Sequence, residues 1–121
     1  MNRNLVISDK PYHGIISNIK IDTVNRNGKE LDKYTFCLLV EQSQRWIPVF
    51  VNEIHDDSVN NSTFQLLINN LCRIYSVDSI DLEEHIGLEV TISLFFENAH
   101  GNVYPKIKWY KPYKNTNEED K

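Results

Sequence analysis

At 121 residues, with 40% hydrophobic and 25% charged side chains, the chain has the size and composition of a single globular domain. No apolar run approaches the roughly 20 residues that a membrane helix needs, and the first ten residues lack the apolar stretch of a secretory leader. The net charge of −4 speaks against a uniformly basic nucleic-acid binder, but the charge is polarised: residues 104–114 hold four lysines and no acid, leaving nine basic against 17 acidic residues elsewhere.

Residues 1–12 read as a polar lead-in. From Gly14 the pattern is that of a strand, with Ile15, Ser17, Ile19 and Ile21 alternating against Ile16, Asn18, Lys20 and Asp22. Asn25-Arg26-Asn27-Gly28 is a turn signal, because Asn-Gly adopts positive φ at low cost. A second strand over residues 34–41 is apolar on both faces. A third follows over residues 46–51, with Ile47, Val49 and Val51 facing in and Trp46 and Phe50 facing out.

The period then changes. Ser62 with Gln65 three residues on is a capping box, and Phe64, Leu67, Ile68, Leu71 and Tyr75 follow at helical spacing. Asp78 to His85 is a polar segment with a short helical turn, closed by Ile86-Gly87. Residues 88–97 alternate cleanly as a fourth strand, and a hairpin loop at residues 98–102 leads into a fifth over residues 103–113. Residues 115–121 form a short acidic tail, expected to be mobile.

The order is therefore β-β-β-α-β-β over a domain spanning residues 13–114. This predicts an all-β fold with one helix, an OB-fold-like five-stranded Greek-key barrel plugged by the helix. An open five-stranded sheet packed on one helix has the same element order. Cys37 and Cys72 lie in apolar runs with no CxxC spacing, and are expected to be free thiols in a reducing cytoplasm.

The fifth strand carries the chemistry. Strict alternation sends Val103, Ile107 and Trp109 to the core and puts Tyr104, Lys106, Lys108 and Tyr110 on one outer face, with Lys111 close by. Lysines neutralise phosphates and aromatic rings stack on unpaired bases, so interleaving the two suits a single strand. Tyr34 on the second strand and Arg45, Trp46 and Phe50 around the third extend the candidate surface. Lys29 and Lys33, placed in the loop joining the first two strands, are candidates to close over a bound strand.

Enzymatic signals are thin. His13, His55, His85 and His100 are scattered, His55-Asp56-Asp57 lacks a second histidine pair at ligand spacing, and no phosphate loop or nucleophile elbow is present. A non-enzymatic protein without metal or cofactor is expected.

Four segments resemble small single-stranded DNA-binding and replication-accessory proteins of phages and mobile elements in Firmicute-like bacteria. These are His13-Gly14-Ile15-Ile16, the Phe64-Gln65-Leu66-Leu67-Ile68-Asn69-Asn70-Leu71 helix, Leu82-Glu83-Glu84-His85-Ile86-Gly87-Leu88-Glu89-Val90, and the Phe96-Glu97-Asn98 to Tyr104-Pro105-Lys106-Ile107 hairpin. The resemblance implies an OB-fold, a cytoplasmic setting and a role around DNA replication. The chain departs from typical bacterial members in ending on Asn117-Glu118-Glu119-Asp120-Lys121, with no apolar tip. The expected ligand is single-stranded DNA. The alternative is an accessory subunit whose exposed aromatics hold a polymerase, primase or helicase.

Overall fold

The computed structural model of the chain describes residues 10–114, so most of the lead-in and the acidic tail lie outside the described residues. Three strands come first: β1 (Tyr12–Arg26), β2 (Lys29–Gln42) and β3 (Arg45–His55). Helix α1 (Thr63–Tyr75) and a 3-10 turn (Leu82–His85) follow, then β4 (Glu89–Ala99) and β5 (Asn102–Pro112). The strands form one antiparallel sheet in the order β3-β2-β1-β4-β5. No ladder joins the two edge strands, so the sheet is not closed. No helix among the described residues is long and apolar enough to cross a membrane.

All three hairpins turn over two residues with positive φ: Asn27-Gly28, Ser43-Gln44 and His100-Gly101. Such turns share the right-handed twist of the strands they join. Lys29 and Lys33 thus belong to β2 itself, not to a loop. Gly14 pairs with Val40 on one side and Val90 on the other, and an added Cβ would lie 3.2 Å from both Leu39 O and Ile92 Cγ2. A side chain there would make its neighbours give by a few tenths of an ångström where three strands crowd together.

The core lies between the inner sheet face and α1. Ile16, Phe36, Val40, Val51, Ile92 and Leu94 are fully buried with Leu71 and Leu67 of the helix. Each such side chain contributes about 1.5–3 kcal/mol on burial. Ser62 caps α1 by accepting from Gln65 N at 3.1 Å, and Gln65 Oε1 accepts in turn from Asn61 N at 3.3 Å. The helix stops at Ser76, in the left-handed region, with Val77 N bonded to Cys72 O.

Two bulges alter the alternation expected from the sequence. In β1 the register slips across Ser17, so Ile16 and Ile19, of opposite parity, are both buried; Ile21, further along, is exposed. In β5 it slips across Lys108, between the pairs Leu94–Ile107 and Ser93–Trp109. Asn70 Nδ2 of α1 donates to Lys108 O at 2.9 Å and so supplies a partner to the bulged residue's carbonyl. Beyond the slip Tyr110 is fully buried and Trp109 only half-buried, while Val103 is exposed before it.

Candidate nucleic-acid interface

The even-numbered residues of β3 point away from the core. Phe50 is 57% exposed and Trp46 43%, while Val51, the residue after Phe50, is fully buried. Opposite Ile54, Lys33 of β2 shares this outer face, and Thr35 Oγ1 donates to Asn52 Oδ1 at 2.8 Å. The sheet curls until the β4–β5 hairpin stands beside β3. A groove of about 470 Å³ results, with Phe50 and Asn52 on one wall and His100, Tyr104 and Lys106 on the other. Arg26 and Lys33 enter it from the β1–β2 hairpin and β2.

Three cations, Arg26, Lys33 and Lys106, therefore share one groove with three rings, Phe50, Tyr104 and His100. Glu97 is the one carboxylate among its lining residues. Asn102 Nδ2 donates to the Tyr104 hydroxyl at 3.4 Å, which holds a ring that is 42% exposed.

Lys106 is more than a groove cation. Its Nζ donates to Asn52 O at 2.8 Å and lies 3.6 Å from Glu53 Oε1 and 4.0 Å from Glu97 Oε1. It ties the edge of β5 to the edge of β3 with only 15% of its side chain exposed. Glu53 is 2% exposed and also accepts from Thr63 Oγ1, at 2.5 Å, while its Oε2 has no partner among the described residues. Burial pushes the Glu53 carboxyl above its ordinary range, and the Thr63 hydrogen bond and the Lys106 charge pull back less strongly.

Of the nine residues expected at the site, the groove unites Phe50, Tyr104 and Lys106. Trp46 and Arg45 lie at the far end of β3. Trp46 meets the edge of the His13 ring at 5.2 Å, and that ring stacks on Tyr113 at 3.8 Å. His13 is held there by Glu41 at 3.0 Å and Glu89 at 2.5 Å, so the second aromatic patch carries carboxylates. Lys108 is exposed at the bulge, and Lys111 lies over the Trp109 ring at 5.8 Å.

Two expected site residues are corrected. Tyr110 does not share the outer face of β5: the bulge turns it inward, its hydroxyl lies 2.6 Å from His85 Nδ1, and burial raises its pKa strongly. Tyr34 faces the helix and stacks on Phe64 at 4.8 Å between ring centres. Neither ring is a platform for a base in the groove.

Arg26, His100 and Asn52 join the groove without being expected there from the sequence. The signal was available in part, since Asn-Arg-Asn-Gly and His-Gly mark the two hairpin tips that flank the groove. The His55-Asp56-Asp57 run is spent locally. His55 Nε2 pairs with Asp57 at 2.8 Å, while Asp56 accepts from Ser58 Oγ, Ser58 N and Lys29 Nζ, which hold its carboxyl down at about 2. Set beside known proteins, the chain matches no family model, no curated protein and no solved structure.

Proposed function

We propose that this groove binds single-stranded DNA and that the protein is a non-enzymatic binding module acting in the replication or recombination of a phage or mobile element. The observation that carries the reading is the convergence of three exposed or half-exposed rings and three cations in one groove. Rings supply stacking that tolerates any base, and the cations follow the backbone. The order β3-β2-β1-β4-β5, with Lys106 drawing β5 to β3, is what an OB-fold barrel gives when opened at that seam. In that fold oligonucleotides bind over strands two and three, between the first-to-second and fourth-to-fifth strand loops. A groove beside β3 and the tip of the β4–β5 hairpin supports that reading, and on it we assign the protein to the cytoplasm.

A labelled oligo-dT titrated by fluorescence polarisation tests the proposal. Phe50→Ala and Tyr104→Ala should each weaken binding by about 1–3 kcal/mol. Lys33→Glu should lower the salt slope by about one or two. Unchanged affinity in all three variants would remove the groove from consideration.

A second reading is favoured by one observation. The Trp46–His13–Tyr113 patch lies beside Glu41 and Glu89, whose charge repels phosphates. An aromatic surface of that kind suits a protein partner, and on this reading the module is an accessory subunit of a polymerase, primase or helicase. Trp46→Ala that leaves oligo-dT binding intact while abolishing co-purification with such an enzyme would support it.

A further inference from the structure

A second and larger cavity, of about 720 Å³, opens between α1, the segment after β3 and the segment leading to the 3-10 turn. Tyr34, stacked on Phe64, gives it an aromatic wall. Five carboxylates line it, and no lysine or arginine does. Asp56 and Asp81 are occupied in capping, through Ser58 N and Glu83 N respectively. Asp57 is paired with His55. Asp78 and Glu83 are exposed and have no ion-pair partner among the described residues. The cavity thus offers an apolar, ring-bearing wall with unspent negative charge at its rim.

The same chain carries the complement. Residues 108–114, Lys-Trp-Tyr-Lys-Pro-Tyr-Lys, contain three lysines and no acid. Lys111, Pro112 and Lys114 are exposed where β5 ends, beside a Tyr113 ring held against His13. Within one copy neither Lys111 nor Lys114 lies within ion-pair distance of an acid among the described residues.

We propose that the acidic cavity of one copy receives the basic, aromatic end of β5 from a second copy. Lys111 and Lys114 approach Asp78 and Glu83, while Tyr113 stays stacked on His13 of its own copy. The contact is charge-steered, so salt weakens it. It leaves Phe50 and Tyr104 of each copy open, and does not depend on what occupies the groove.

Sedimentation of the full chain without nucleic acid, in about 50 mM and about 0.5 M salt, tests the proposal. Self-association that rises with protein concentration and weakens with salt is expected. Asp78→Lys/Glu83→Lys and Lys111→Glu/Lys114→Glu should each weaken it by at least about tenfold, and mixing the two variants should restore it. All four positions are exposed, and thermal melts of the single preparations verify folding. A synthetic peptide of residues 108–114 should bind the wild-type chain and not the Asp78→Lys/Glu83→Lys variant. A wild-type chain that stays monomeric and ignores the peptide overturns the proposal, as does association indifferent to either charge reversal. Failure of the mixture to recover also overturns it. Tight binding of spermine that displaces the peptide would reduce the cavity to a general cation trap and end the assignment to a second copy.

Discussion

Lys33 and Tyr34 are neighbours on β2, yet they line different cavities. The groove reached by Lys33 holds three Lys or Arg side chains and one carboxylate, while the cavity reached by Tyr34 holds five carboxylates and no Lys or Arg. Both present aromatic rings. On the proposals above, flat apolar surface would supply adhesion in each, and the sign of the surrounding charge would decide which partner is admitted. The sum of −4 for the whole chain averages over this division and describes neither side.

The contrast is sharpest at Lys106, which faces the groove while paired to a buried acid. Lys106→Ala strips Glu53 of its cation and should destabilise the protein by about 3 kcal/mol, read from urea unfolding midpoints. Adding Glu53→Gln to Lys106→Met should recover most of that loss, because the pair then leaves together. If Lys106→Ala costs no more than Lys111→Ala, the seam between β3 and β5 is not held by this pair.

Tyr110→Phe probes the opposite side of the same strand. Loss of the hydroxyl contact to His85 should lower stability by about 1 kcal/mol and leave oligo-dT affinity unchanged. A drop in affinity equal to that of Tyr104→Ala would return Tyr110 to the ligand face.

The smallest expected effects separate two acids only three residues apart. Glu53 titrates above its ordinary 4.5 in the fold, so its stabilising contribution is full below 4.5 and is lost as pH rises through the raised value. Asp56 titrates at about 2 instead of 3.8, so its contribution is full above 3.8 and is lost as pH falls through about 2. In stability–pH curves, Glu53→Gln should flatten the upper limb and Asp56→Asn the lower one. Curves in which the two variants alter the same limb would contradict the environments described.

The order of elements was legible because the signals were local: the Asn27-Gly28 turn, the Ser62–Gln65 cap and the alternation from Val90 to Leu94 each act within a few residues. Strand faces were less legible. Ile15-Ile16 and Trp109-Tyr110 place apolar residues at both parities, so either alternation looked satisfactory and neither bulge left a mark in the pattern. What fixes the slip in β5 is a partner remote in sequence, Asn70 on α1. The groove was half visible for a similar reason. Phe50, Tyr104 and Lys106 stand out by type, but the curl of the sheet is what carries Arg26 and His100 to them.

The bulges at Ser17 and Lys108 also bear on how the gene can change in length. Each is the residue that the ladder skips between two paired neighbours, so loss of either codon leaves every flanking pair in register. Loss of the neighbouring Ile107 codon instead moves Lys108 into the buried position opposite Leu94. What a deletion at Lys108 removes is curvature, since a bulge adds local twist and bend. Such a variant would keep its core and flatten β5 away from β3, trading a curled groove for a more open sheet. Single-codon variation at these two points therefore offers evolution a way to reshape the grooved face without rebuilding the fold.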